Sequence, residues 1–443
     1  MQSFFGVNRT SDLSRIFRLV KEGIWIILGQ ILMVLGFLVG VRLLTGIMSP
    51  EAYGELSLGI TLATLVNQTL LGPLGGGIMR FYAPAVEDGD IKGYLHSTGK
   101  LTLNTIGIIL LLTLISILCL SLSGQGKWIL ITIAASLFAI FSGVNSILMG
   151  IQSAARQRAI VAIHQGLDPW LRFLVAAGLL FLTYKTSSVA LLGYAFATAL
   201  ILISQAFFFR ETIAKTHVNR RKEKVWTEDI WRFSLPIGVF GMFTWAQMAS
   251  DRWALQIFSS TEEVGKYAVV YQLGFYPIAL LSGLALQFFI PILYQRVGNA
   301  DDEARKKNAT QLCWRITWIT MALTFVAFVV AIFGHELIFK IFVNENYREV
   351  SFLLPWIVLG GGLFACGQAL ASDLMAKLMN HKMMAVKIST AILGLICNFI
   401  GAYLYGVSGV VGAGLLFSIV YFTWMAFLVN EWGMRNVYHK KTY

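Results

Sequence analysis

RLLTGIMSPEAYGELSLGITLATLVNQTLLGPLGGGIMR, residues Arg42 to Arg80, holds the end of one apolar run, a short polar turn and a complete second apolar run. The turn is SPEAYG, Ser49 to Gly54, and the second run is softened by GPLGGG, Gly72 to Gly77, before it stops at Arg80. A shift of 211 residues lays Ser49, Glu51 and Gly54 on Ser260, Glu262 and Gly265. There too an apolar run precedes the turn, with Asp251 and Arg252 near its end, and another follows, carrying Pro277 and Pro291. The pattern implies one membrane unit present twice, with a polar site between the copies.

The composition extends this reading to the whole chain. Of 443 residues, 57% are hydrophobic and only 13% charged, against about 25% charged in a soluble domain. Runs of about 20 apolar residues each suffice for one bilayer crossing. They predict an all-α polytopic membrane protein with about twelve spans, near 22–46, 54–80, 98–122, 128–151, 159–182, 188–210, 234–258, 266–294, 309–333, 351–376, 384–405 and 409–430. The runs are continuous rather than alternating, which excludes a membrane β-barrel. Spans 54–80 and 266–294 exceed one crossing and are expected to tilt, kink or emerge. Cys119, Cys313, Cys366 and Cys397 lie in or beside apolar runs without CxxC spacing, so packing is the expectation and no metal or other cofactor is implied. The basic segment Met1 to Lys21 lacks a small-residue cleavage site, and the first helix is expected to stay as an uncleaved anchor.

Charge placement sets the orientation. With the N-terminus in the cytoplasm, most of the 35 Lys and Arg fall inside, including Arg210, Lys215, Arg220, Arg221, Lys222, Lys224 and Arg232 of one long loop and Lys440 and Lys441 at the end. The outside receives only Lys127, Lys185, Lys266, Lys340 and Arg348. Both termini are therefore expected in the cytoplasm, and the net charge of +12 needs no nucleic-acid partner. The loop divides the chain into an N-terminal six-helix bundle (1–210), a basic cytoplasmic linker (211–231) and a C-terminal six-helix bundle (232–443). Six is even, so the halves have like orientation, as parallel repeats about an axis along the membrane normal.

Charges within spans mark the site, because they are costly in lipid unless they face a cavity or partner. Arg42 lies about one turn before the outer end of the first span, and either snorkels to the interface or faces a central cavity as a cation for an anionic substrate group. Asp251 and Arg252 hold the matching position of the seventh span. In the fifth span His164, Asp168 and Arg172 are four residues apart and share one helix face, with Pro169 loosening the helix. That face either couples protons to substrate movement or is a self-satisfied Asp–Arg pair. Gly72, Pro73, Gly75, Gly76 and Gly77 are too dense for a stiff helix and suggest either close packing or a hinge. Amides such as Gln247, Gln272 and Asn398 serve as interhelical glue or wet a cavity suited to sugar hydroxyls, and Asp373 with Lys377 is an i,i+4 structural pair. No phosphate loop, HExxH or paired-carboxylate motif points to an enzyme.

RLLTGIMSPEAYGELSLG (Arg42 to Gly59) followed by GGGIMRFYA (Gly75 to Ala83) resembles the polysaccharide-biosynthesis flippases, the Wzx-type branch of the multidrug/oligosaccharidyl-lipid/polysaccharide (MOP) exporter superfamily. The resemblance extends over the whole length and is most specific in the first two spans. It implies a V-shaped pair of six-helix bundles, a bacterial inner membrane, and alternating access that moves a polyprenyl-pyrophosphate-linked oligosaccharide, an O-antigen unit of lipopolysaccharide or another exopolysaccharide repeat. It places Arg42 and Arg80 on basic positions of the family's opening motif, for contact with pyrophosphate or sugar acids. Arg172 and Arg252 join them as cavity cations on the residue reading alone. His164, Asp168 and Asp251 are the ion-coupling candidates, for H+ or Na+, and Gly72 to Gly77 the hinge.

Two further readings compete. A cation-coupled drug or metabolite exporter of the same superfamily predicts a carboxylate in the first span, and none lies between Gly23 and Ser49. A scaffold recruiting glycosyltransferases or a polysaccharide polymerase predicts that the intramembrane cations are dispensable. A major-facilitator transporter is disfavoured because EDGDIKG, Glu87 to Gly93, is acidic where that family is Gly- and Arg-rich.

Overall fold

The computed structural model of the chain describes residues 9–214, 223–297, 303–377 and 379–439. Residues 215–222 of the expected basic linker, and Lys440 and Lys441, lie outside them. The described chain is helical: α1 (Arg9–Ile47), α2 (Pro50–Val66), α3 (Gly72–Glu87), α4 (Ile91–Leu122), α5 (Lys127–Ala154), α6 (Arg158–Leu182), α7 (Ser187–Ala214), α8 (Glu223–Phe258), α9 (Thr261–Val297), α10 (Glu303–Phe342), α11 (Leu354–Ala376) and α12 (Asn380–His439). With α2 and α3 read as one interrupted rod and α12 as two arms, these follow the twelve expected spans in order. The arms of α12 part at Gly406, whose φ of 56° is open chiefly to glycine. Among the described residues, seven stretches are long and apolar enough to cross a membrane on length and composition alone. Charged residues break the apolarity of others, as His164, Asp168 and Arg172 do in α6.

The distribution of exposed apolar side chains fits lipid rather than water. On α4, Leu110, Leu111, Leu114, Ile115 and Leu118 are all about half exposed, while Ser97, Thr98 and Thr105 of the same helix are buried. An outward apolar band of this size on a water-soluble protein would be an aggregation surface.

The chain forms two compact units. The first comprises residues 1–40, 62–184 and 188–241, the second residues 41–61, 185–187 and 242–443. In the first unit Leu71, Leu74, Ile78, Tyr94, Ile147, Trp226 and Ile230 share one core. Asp90 ties α4 to α8 within it: one carboxylate oxygen caps α4 by accepting from Gly93 N at 3.2 Å, and the other accepts from Trp226 Nε1 at 3.0 Å. Asp90→Ala removes both contacts and is expected to lower stability by about 1–3 kcal/mol. The check is the thermal midpoint in detergent, with Lys92→Ala as the unchanged control.

The glycine cluster lies in helix. Gly72 to Gly77 lie inside regular helix, in the first turns of α3, and the irregularity falls one turn earlier, where Asn67–Leu71 form a π-helical turn. The cause is Pro73, which has no N–H to donate and whose ring clashes with a carbonyl one turn back. Gly72 N–H reaches Asn67 O instead, closing the wider π ring. The freed carbonyls point at α8 where it has no side chain: a Cβ on Gly238 would stand 2.6 Å from Thr69 O, and one on Gly241 would overlap Gln68 O. Gly77 is packed just as closely against Ser234 and Ile230. Within the cluster Gly77 thus allows close approach of α3 to α8, while Gly75 faces Ile147 of α5.

In the second unit the two repeat-related turns meet. Ser49 Oγ accepts from Ala52 N at 3.3 Å, and Ser260 Oγ accepts from Glu263 N at 3.2 Å, so the same serine cap opens α2 and α9. A Cβ on Gly54 would overlap Thr261 O, and a Cβ on Gly265 would overlap Pro50 O. Each glycine of the repeat therefore seats the first turn of the other copy.

Candidate functional site

The two units each carry one of the intramembrane charge groups. In the first unit, α6 presents Asp168 and Arg172 as a two-pronged pair: Nε donates to Oδ1 at 2.9 Å and Nη2 to Oδ2. The guanidinium also lies 5.0 Å from the Phe138 ring centroid, within cation–π range. The side chains keep 29% and 14% of their surface, so one edge of the pair stays open. His164 does not join them. Its Nδ1 faces Ile160 O at 2.8 Å, which requires the hydrogen on Nδ1, and its Nε2 then accepts from Ser204 Oγ on α7 at 3.1 Å. Helical spacing put the three residues on one face, but packing against α7 took the histidine.

In the second unit, Asp251 and Arg252 on α8 meet a tyrosine stripe on α9. Tyr267 Oη donates to Asp251 Oδ2 at 2.7 Å, and Arg252 Nε donates to Ser57 Oγ at 3.1 Å. Arg252 Nη1 stands 3.3 Å from Asp251 Oδ1, and its guanidinium lies over Tyr271 at 4.7 Å. Tyr271 stacks on Phe275 with ring centroids 4.7 Å apart and an interplanar angle of 18°. Asp251, Tyr267, Tyr271 and Phe275, but not Arg252, line a cavity of about 100 Å3 whose polar lining comes from Gln247, Asp251, Tyr267, Tyr271, Asn398 and Ser418. Asn398 Nδ2 donates to Ser250 Oγ at 2.8 Å, while its buried Oδ1 has no partner. A buried acceptor without a donor is costly unless something supplies one, and a sugar hydroxyl, a water or a small cation meets that need.

Of the other sequence candidates, Arg80 is exposed on α3 in the first unit. Arg42 belongs to the second unit and donates from Nη1 to Val343 O, just past the carboxyl end of α10, where a cation also satisfies the helix dipole. The residue reading missed Tyr267 and Tyr271. Their signal was present, since Tyr267, Tyr271 and Phe275 recur every four residues along α9 and so share a face.

Residues 19–297 match the family model described as polysaccharide biosynthesis protein. The chain belongs to this family. Its fold is that of the flippases and transporters of the MOP superfamily. The structure of the lipid II flippase MurJ in an inward closed conformation superposes with a TM-score of 0.69 at 13% identity, covering 93% of this chain and 87% of that one. An inward-facing multidrug resistance MATE family transporter gives a TM-score of 0.62 at 14% identity over 90% and 95%. A MOP superfamily transporter from Pyrococcus furiosus, described as having a binding pocket of reverse polarity, gives 0.56 at 14% over 93% and 96%. No curated protein sequence matches the chain. This member of the polysaccharide biosynthesis family is thus a multi-pass membrane protein, and its structural neighbours are transporters and flippases rather than enzymes.

Proposed function

We propose that the protein is a flippase that moves a polyprenyl-pyrophosphate-linked oligosaccharide, an O-antigen or exopolysaccharide repeat unit, across the bacterial inner membrane by alternating access. Family membership supports the cargo class, and the observation that carries the reading is the Arg252, Tyr271 and Asp251 cluster beside a cavity with an unsatisfied amide oxygen. Arginine suits a phosphate because its fork engages two oxygens at once, and aromatic faces suit the apolar faces of sugar rings. In this reading Arg42, Arg80, Arg172 and Arg252 are the cations offered to the pyrophosphate and sugar acids. Two like-oriented halves, 1–210 and 232–443, work against each other with both termini in the cytoplasm. The π turn and Gly72 to Gly77 provide the bend. Asp251, which lines the same cavity as Asn398, is the foremost site for a coupling H+ or Na+, with Asp168 and His164 behind it.

The test is gene deletion followed by chemical analysis of the lipid-linked oligosaccharide that accumulates, then complementation. Arg252→Ala, at normal membrane levels, is expected to lower surface glycan about tenfold or more, since a charged hydrogen bond is worth about 1.5–3 kcal/mol. Arg252→Lys retains the charge without the fork and should recover only part of it. Arg172→Ala is expected to act in the same direction. Unchanged surface glycan in both alanine variants would remove the cationic-cavity assignment.

A further inference from the structure

Among the described residues of the first unit, α5 and α7 hold six buried side-chain atoms that no protein group satisfies. They are Asn145 Oδ1 and both amide atoms of Gln152 on α5, with Thr198 Oγ1 and both amide atoms of Gln205 on α7. Asn145 keeps 3% of its surface and the other three residues keep none. Lipid offers no hydrogen bond, so six such atoms left dry would rival the net stability of a folded domain.

Their placement is regular. Phe138 of α5 meets Tyr194 of α7, with ring centroids 5.8 Å apart. Asn145 and Gln152 follow Phe138 by one and two heptads, and Thr198 and Gln205 follow Tyr194 by four and eleven residues. All four therefore return to the faces that meet at the ring contact. One crossing, α6, separates α5 from α7, so the two run in the same direction. At the rise of an α-helix, Thr198, Asn145, Gln205 and Gln152 lie about 6, 10, 16 and 21 Å from that contact towards the carboxyl ends. Steps of roughly 4–6 Å match the reach of one water that donates to one group and accepts from the next. The row ends at an ion pair. Arg172 lies over Phe138, and Asp168 stands one turn from it on α6, which runs the other way, so Asp168 falls at the level of Thr198.

We infer that the first unit holds a file of bound waters between α5 and α7, bridging Gln152, Gln205, Asn145 and Thr198 and reaching Asp168. Buried waters settle where several polar groups lack partners, and here each rung presents at least one such atom. The file gives the Asp168–Arg172 pair an aqueous path to the carboxyl ends of α5 and α7, the cytoplasmic side in the proposed orientation. Use of that path in ion coupling rests on the flippase reading; the waters themselves do not. The competing arrangement of the same groups is direct pairing of the amides across the two helices.

The experiment is hydroxyl-radical footprinting of the full chain in phosphatidylcholine nanodiscs, in which short X-ray pulses convert bound water into radicals that oxidise adjacent side chains. Ile201 and Ile147 form a matched pair, each 3% exposed. Ile201 lies between Thr198 and Gln205 on the same face of α7, whereas Ile147 sits in the apolar core around Leu71 and Ile78. Ile201 is expected to be oxidised several-fold faster than Ile147. Q152L/Q205L is expected to bring Ile201 down to the rate of Ile147. T198V is expected to lower it part of the way, which keeps the variant arm open if the double variant misfolds. Ile201 as slow as Ile147 in the wild-type chain overturns the file and assigns direct amide pairing. Fast oxidation of Ile201 in the wild-type chain and in every variant that folds also overturns it, because the radicals then come from elsewhere. Neither readout involves transport. Surface glycan measured in the same variants judges the coupling role separately: unchanged glycan beside lost Ile201 oxidation leaves the waters in place and removes that role.

Discussion

Gly54→Ala and Gly265→Ala are each expected to destabilise the protein by about 1–3 kcal/mol, and the leucine substitutions to abolish its accumulation in the membrane. At both positions the added Cβ would overlap a backbone carbonyl of the facing turn, Thr261 O for Gly54 and Pro50 O for Gly265. It would also stand 2.9 Å from the other glycine's amide nitrogen. A flexible side chain moves aside at little cost, but a carbonyl within the first turn of a helix does not. Relief requires α2 and α9 to separate, which also strains the bond from Tyr53 Oη to Gln272 Oε1, 2.5 Å long in the same contact. Gly46→Ala is the internal control, because nothing lies within 4 Å of its added Cβ. There the helix propensity of alanine is expected to leave stability unchanged or raise it by up to about 1 kcal/mol. Thermal aggregation of the purified variants in detergent reads the difference. A Gly54→Ala protein as stable as Gly46→Ala would show that the two turns do not meet.

The second large effect is expected at Asp373 and Lys377, one turn apart where α11 ends. Their side chains retain 0% and 3% of their exposure, and Lys377 Nζ lies 2.6 Å from Asp373 Oδ2. Thr310 completes the cluster: its Oγ1 accepts from Lys377 Nζ and donates to the Asp373 carboxylate. Removing either partner breaks the buried pair, so Lys377→Met or Asp373→Leu is expected to cost about 3–5 kcal/mol. The double variant removes both charges and is expected to recover most of that loss, since an apolar replacement of a buried pair is often neutral or stabilising. The exposed pair Arg232 and Glu228, with 77% and 61% of their side-chain surface open, provides the contrast. Breaking it is expected to change stability by less than about 1 kcal/mol. Additive losses in the Asp373 and Lys377 cycle would mean that the two side chains do not share one buried site.

Several features of the fold were legible residue by residue. The arms of α12 separate at Gly406, between the expected spans 384–405 and 409–430. The repeat of Ser49 and Gly54 at Ser260 and Gly265 foretold matching turns, and the serine caps match. The i,i+4 spacing of Asp168 with Arg172 foretold their pairing. Other features were not legible. The dense glycines left close packing and a hinge both open, and the widening of the backbone at Asn67–Leu71, one turn before Pro73, was not legible in them. His164 shares its spacing with Asp168 but bonds to Ser204, forty residues away along the chain. Arg42 caps the end of α10 across an even longer separation.

The order of the helices and the approximate place of each apolar run were determined by the sequence alone, because bilayer thickness sets the length of an apolar run and glycine, proline and serine mark where a helix starts or bends. The sequence also determined which charged residues share a helix face, because 3.6 residues per turn leave no other arrangement. Only the tertiary structure decided which partner each of those residues takes. A hydrogen bond reaches about 3 Å, and which neighbouring helix comes that close depends on packing between segments far apart in the chain. That is why Tyr267 meets Asp251 and why the two glycine turns interlock.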